Sequence, residues 1–288
     1  MKKINNILKK LDIKPHRYAQ SGKVYLVESN EEKYIIKRND NPIYNYLNQR
    51  SFGYYPETVI EDGYEIAKFE DEIEIPNEQK ILDLVSLIGL LHSKTTHYKP
   101  ITEYDHKDTY EDLKGNIEYL KEHYNNIMNA IESEIFMKPS SYLLARHITQ
   151  INNMLNYCEN NVEEWYKKIQ DKNKIRVVTL HNNLALDHYI NNKLISWNKA
   201  KTGSPIFDLY KLYKRTYSEY VWEEVLKKYI RSYPLFEEEL DLFYLMISIP
   251  NNLELKENEY DNVKTINDQL EYMETTGNFI ETMKKTSI

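Results

Sequence analysis

Apolar residues recur along this chain in two rhythms. Ile4, Ile7, Leu8 and Leu11 fall at three- and four-residue steps, which predicts a helix over 3–11. Two short extended runs follow at 23–28 and 33–38, and the turn Ser29-Asn30 between them makes a hairpin. A second pair, 58–60 and 64–69, flanks Glu61-Asp62-Gly63. Asp-Gly suits a hairpin turn because both central positions accept positive φ. Between the pairs, 43–52 reads as a helix begun after Pro42.

After Phe69 the rhythm changes. The stretch 70–76 is acidic and aperiodic. Ile81, Leu84, Val85, Ile88 and Leu91 then mark the buried face of a helix running from Glu78 to His92. Amphipathic helices are expected over 104–133 and 140–158, with a shorter one over 162–170. A strand at 174–180 interrupts them, and the turn Asn191-Asn192 leads to another over 193–197. These two strands read as a hairpin-like unit presenting Asn183, His188 and Ser196 at one mouth. Helices are expected again near 206–220, 221–232, 235–247 and 263–283. No internal repeat or low-complexity linker is visible. The order predicts an α+β protein of two lobes: residues 1–71 as a small antiparallel sheet with a helix, and residues 72–288 as a mostly helical body carrying the insert 181–198. A cleft between such lobes is the usual place for a ligand.

Composition narrows the function. In 288 residues, 41% are hydrophobic and 29% charged, enough for a core and a solvated surface. A net charge of −7 argues against a general nucleic-acid binder, which needs a basic face. Cys158 is the sole cysteine, so an intrachain disulfide and a cysteine-based zinc site are both excluded, and its helical setting reads as a structural thiol. The first residues lack the apolar run of a secretory signal, and no stretch approaches the ~20 apolar residues of a membrane span. A cytoplasmic protein, partnered by neither nucleic acid nor membrane, is the expectation. The 26 tyrosines read mainly as packing material, whereas only 7 glycines leave little for a phosphate-cradling loop.

Three places carry possible chemistry. Lys37 ends the apolar run Tyr34-Ile35-Ile36 and reads as a phosphate-pairing cation or a solvated strand end. His181 directly follows the strand at 174–180, where it suits a loop-structuring role bonded to backbone better than a general base. The third is the run Lys193-Leu194-Ile195-Ser196-Trp197.

At these places the chain resembles the aminoglycoside phosphotransferase/choline kinase group of the protein-kinase-like superfamily. His181-Asn182-Asn183-Leu184-Ala185-Leu186-Asp187-His188 stands where that family has H-G-D-x-x-x-x-N. Ile195-Ser196-Trp197-Asn198 stands for I-D-W-E, and Gly203-Ser204-Pro205-Ile206-Phe207-Asp208-Leu209 for G-x-P-x-x-D-L. Upstream, Ile88-Gly89-Leu90-Leu91-His92 resembles the family's helix ending in Leu-His. The resemblance covers nearly the whole chain in element order. It implies a kinase-like two-lobe fold with residues 1–71 as the nucleotide-side lobe, Lys37 pairing ATP phosphates with or without magnesium, Ser21 and Gly22 in the phosphate loop, and Asp208 as a structural anchor.

The departures fall on the chemistry. The family's base falls on Asn183, and an amide has no accessible basic state at neutral pH. The metal-binding positions fall on His188 and Ser196, and magnesium prefers anionic oxygen. Asp187, one residue away, is the possible substitute. The loop Gln20-Ser21-Gly22-Lys23 has one glycine, and 43–52 has no glutamate to pair with Lys37, only Gln49. The expectation is a degenerate member of the family, similar to spore-coat kinase-like proteins of bacteria, acting as a pseudokinase that binds a small molecule or a protein. The alternatives are an active small-molecule kinase built on Asp187 and His188, for which an acidic helical lobe suits a cationic acceptor, and a spore-coat or assembly protein.

Overall fold

Ile4, Ile7 and Leu8 bury one face of the first helix, α1 (Lys2–Lys10), in a computed structural model that describes residues 2–29, 32–39, 41, 43–69 and 71–286. The strands β1 (Pro15–Ser21), β2 (Val24–Ser29) and β3 (Lys33–Arg38) follow, then α2 (Ile43–Gln49), β4 (Thr58–Glu61), β5 (Tyr64–Lys68) and α3 (Asn77–Thr95). Next come β6 (His97–Pro100), α4 (Glu103–Glu132), α5 (Pro139–Ile169) and β7 (Lys174–Leu180). Two-residue strands β8 (Tyr189–Ile190) and β9 (Lys193–Leu194) precede β10 (Lys201–Gly203). The chain continues in α6 (Ile206–Thr216), α7 (Trp222–Ser232), α8 (Glu237–Ser248) and α9 (Glu259–Thr286). The expected α+β class holds: a small antiparallel sheet near the N-terminus and a larger helical part. Asn30 of the first turn, Pro42, Glu70 and Met1 lie outside the described residues.

The chain divides into two compact units, residues 1–95 with 179–201, and residues 96–178 with 202–288. The stretch 181–198 groups with the residues of the sheet. In the first unit a five-stranded sheet runs in the order β1-β2-β3-β5-β4. Val27, Ile36 and Ile66 on its inner face meet Ile4, Ile7 and Leu8 of α1. The β4–β5 turn holds Asp62 at φ 52° and Gly63 at φ 79°, as a tight Asp-Gly hairpin requires. Strand β1 escaped the hydrophobic pattern because its side chains are almost all exposed; only pairing with β2 makes it a strand.

Helix α2 is shorter than the expected 43–52. Ser51 turns left-handed at φ 54°, its N–H bonds Asn48 O at 2.9 Å, and Phe52 N–H bonds Leu47 O at 2.9 Å. This is a Schellman closure, sealed by the buried side chains of Phe52 and Leu47.

In the second unit, α5 is one helix where two were expected. Ile151, Leu155, Cys158, Val162, Trp165 and Ile169 are all buried at three- and four-residue steps, so one apolar face runs straight through the supposed break. Tyr213 is the centre of an aromatic core, stacked on Phe279 at 5.5 Å and edge-on to Trp222 at 4.8 Å, with its hydroxyl donating to Thr276 Oγ1 at 2.9 Å. Burial pushes its phenol up to about 12. Cys158 is fully buried, and burial likewise pushes its thiol up to about 12, far from a reactive thiolate.

The expected hairpin between 174–180 and 193–197 does not form. Strand β7 lies between β10 and β6, whereas β9 pairs with β8. Ser196 leaves the extended region at φ 68°, and Trp197–Lys199 makes a single 3-10 turn whose indole N–H donates to Leu194 O at 2.8 Å. The buried Trp197 draws the chain inward, so the strand stops at Leu194.

Candidate functional site

Lys37, His181, Asn183, His188 and Ser196 all belong to the first unit. The end of α3 positions the start of the loop. Thr95 Oγ1 donates to Leu91 O at 2.8 Å and accepts from Thr179 N–H at 3.0 Å. Two residues on, His181 is fully buried. Its Nε2 lies 2.8 Å from Ile195 O, so that nitrogen carries the proton and donates. Its ring meets the Trp197 indole edge-on at 4.8 Å, and Phe52 closes the other side of Trp197 at 6.0 Å. Leu194 N–H bonds Tyr54 O at 2.9 Å, and Asn191 bonds the segment after β5 twice, from Ile73 N–H and to Asp71 O, both at 3.0 Å.

Asn182 takes φ 61° and donates through Nδ2 to Lys199 O at 2.8 Å, closing the loop on itself. The carbonyl of Asn183 accepts from His188 Nδ1 at 2.6 Å, and Ile195 N–H donates to His188 O at 3.0 Å. His188 therefore keeps one ring nitrogen as its lone-pair donor. Asp187 is exposed in the single turn Leu186–His188, and Ser196 is half-buried at its left-handed position. In the second unit, Asp208 is fully buried in the first turn of α6, where the helix dipole favours a negative charge.

Lys37 has a partner that reading along the chain did not find. Its Nζ lies 3.2 Å from Glu65 Oε1, and the side chains are 16% and 4% exposed. The glutamate comes from β5, directly opposite Lys37 in the antiparallel register, not from α2. The one signal was a carboxylate interrupting the apolar run Tyr64-Glu65-Ile66-Ala67. Glu65 also accepts from Asn39 Nδ2 at 2.5 Å. Asn39 Oδ1 accepts Asn41 N–H at 2.9 Å, and Asn41 Nδ2 donates to Ala200 O at 3.0 Å. This relay ties the Lys37 pair to the far end of the loop. The neighbouring Tyr44 phenol is pushed strongly upward by burial and by the Glu65 charge.

Ser21 and Gly22 are exposed at the tip of the β1–β2 hairpin. Ser21 pairs with Val24, leaving Gly22-Lys23 as a two-residue turn with Gly22 at φ 57°. A turn this short has few backbone N–H groups to aim at an anion.

The donor set does not fit magnesium. The positions that the resemblance assigns to metal, His188 and Ser196, offer an imidazole nitrogen and a hydroxyl, and the neighbouring carboxylate in the loop, Asp187, is exposed to solvent. Among the described residues no group of three or more His, Cys, Asp and Glu side chains could hold a metal ion. Magnesium is a hard cation that takes oxygen ligands, carboxylates foremost.

No protein-family model matches the chain, and no curated protein matches it in sequence. Its fold is nonetheless that of solved phosphotransferases. The aminoglycoside phosphotransferase from Alicyclobacillus acidocaldarius superposes at a TM-score of 0.69 with 9% identity, over 94% of this chain and 93% of that one. Spectinomycin phosphotransferase, in its AMP-bound complex, superposes at 0.52 with 11% identity over 98% and 94%. A choline kinase from Streptococcus pneumoniae gives 0.49 with 15% identity over 99% and 98%. Among the described residues no helix is long and apolar enough to cross a membrane.

Proposed function

We propose that this protein keeps an aminoglycoside-phosphotransferase-like scaffold as a binding device and does not transfer phosphate. The observation that carries this reading is the chemistry of the loop 181–198. The position of the family's base carries a side-chain amide, Asn183, and the backbone carbonyl of the same residue holds His188 by a hydrogen bond of 2.6 Å. Phosphoryl transfer depends on positioning a nucleophile and neutralising charge; this loop has no carboxylate at the position of the family's base and no carboxylate pair for metal. Its polar groups are instead spent on holding its own backbone: His181 on Ile195, Asn182 on Lys199, His188 on Asn183.

Lys37 does not separate the readings: its charge is met by Glu65, held in place by Asn39, and a strand lysine paired with a glutamate is also what nucleotide-binding kinases use. Without a carboxylate pair for metal, nucleotide binding is expected to be weak and independent of magnesium.

Thermal unfolding with ATP, with and without magnesium, tests this, since a ligand of the native state raises stability by mass action. The expected result is a shift of under about 1 °C at ~1 mM ATP that magnesium does not enlarge. A magnesium-dependent shift, with phosphate transfer to an amino sugar or choline that Asp187→Ala abolishes, would overturn the proposal in favour of a rearranged kinase.

A further inference from the structure

Lys37, Lys80 and Lys121 are largely withdrawn from water, and each meets a carboxylate. Lys214 of α6 is half-buried and, among the described residues, meets none. Its Nζ has one acceptor, Asn251 Oδ1 at 3.3 Å, and lies 4.0 Å from the centroid of the Tyr272 ring. An ammonium carries three N–H donors, so two remain for solvent or a ligand. Lys214 and Asn251 both line a cavity of about 320 Å³ that lies wholly within the second unit. Leu113 and Leu120 of α4, Met246 of α8 and Pro250 give it apolar walls. Asn251 and Asn252 are exposed, so it opens to solvent there. Its volume is at the small end of the range of ligand pockets.

The titratable groups about this amine are Cys158 of α5, Tyr210 one turn earlier on α6 and Tyr272 of α9. Burial pushes the thiol and both phenols up, so all three are protonated and uncharged at neutral pH. Lys121 of α4, also near Cys158, is paired with Glu159. On its own helix, Lys211 and Arg215 make interactions of their own. With no anion to hold its charge, burial holds the Lys214 ammonium down at about 8. A lysine desolvated beside apolar walls is the setting in which an amine becomes a nucleophile.

We infer that Lys214 is an amine nucleophile that captures small aliphatic aldehydes as imines in this cavity. The lone pair of the uncharged amine attacks the carbonyl carbon and a carbon–nitrogen bond forms. The carbon–oxygen bond then breaks, and the oxygen leaves as water with, in balance, the nitrogen's two protons. The step is reversible and needs no oxidant or reductant. The apolar walls suit an aliphatic body, and the one reactive group they surround is a nucleophile. The site shares no residue with the loop 181–198 and is independent of any nucleotide bound near Lys37.

Treating the full chain with hexanal, and separately with formaldehyde, tests the inference. Cyanoborohydride reduces any imine to a stable amine, and peptide mass mapping across a pH series reads the rate at each lysine. With hexanal at about pH 7, Lys214 is expected to be alkylated at least about tenfold faster than the exposed Lys9 and Lys264. Its rate is expected to level off above about 8, while theirs still rises. Formaldehyde has no body to fill the cavity and is expected to show a smaller preference for Lys214. In Lys214→Arg the fast product is expected to vanish, with the rates at Lys9 and Lys264 unchanged. Alkylation of Lys214 in the parent no faster than at Lys9 and Lys264, or a preference as large with formaldehyde as with hexanal, would overturn the inference.

Discussion

The Lys37–Glu65 pair shows how much one cross-strand contact decides. Both groups are largely withdrawn from water, so removing one leaves the other charged and uncompensated. Glu65→Ala is expected to cost about 3 kcal/mol, and Lys37→Met/Glu65→Leu to recover most of it, as read from urea midpoints. Ser51 makes the opposite case. Its left-handed backbone strains any side chain, so Ser51→Gly is expected to raise stability by about 0.5–1 kcal/mol. Lys214 titrates unusually: burial holds its ammonium down at about 8, beside Asn251 Oδ1 at 3.3 Å and the Tyr272 ring at 4.0 Å. Between about pH 8 and 10.5 the unfolded chain keeps the proton that the folded chain has released, so stability from this group rises with pH across that window. Lys214→Met should therefore be more stable than the parent at about pH 7, and the difference should shrink by about pH 10. A constant difference across that range would show that Lys214 is not the titrating group.

At the level of elements, the turns and the helix joins carry the information. Gly22 has open space around it, so Gly22→Ala is expected to cost about 1 kcal/mol through backbone strain alone, with no change in nucleotide response. The long helices α4 and α5 are joined by a tip where Ile135 is 92% and Phe136 88% exposed. Neither side chain contributes to a core. Ile135→Asn/Phe136→Ser is expected to leave stability, read from the urea midpoint, within about 0.5 kcal/mol of the parent while lowering aggregation at high concentration. A large loss of stability would mean the tip is packed.

For the whole molecule, the fold is that of a solved phosphotransferase at 9% identity, and the proposed reading separates that scaffold from its chemistry. That separation of scaffold from site is testable in reverse. Asn183→Asp/His188→Asn/Ser196→Asp restores the residue types that the resemblance assigns to base and metal, and Ser196 sits at a left-handed position that aspartate tolerates. The triple variant is expected to acquire ATP stabilisation that requires magnesium, a response not expected of the parent. No gain would show that the loop geometry itself has drifted.

Local pattern was enough to read the class, the order of elements and most helices, because amphipathic periodicity is set by which face must be buried. Strand β1, the unbroken α5 and the two-residue β9 were not legible, because each depends on a neighbour distant in the chain: pairing with β2, a continuous buried face, and the inward pull of Trp197. The partner of Lys37 was hidden for the same reason. A search along α2 misses Glu65, since antiparallel register joins residues far apart in the chain and only the folded sheet decides which side chains stand opposite.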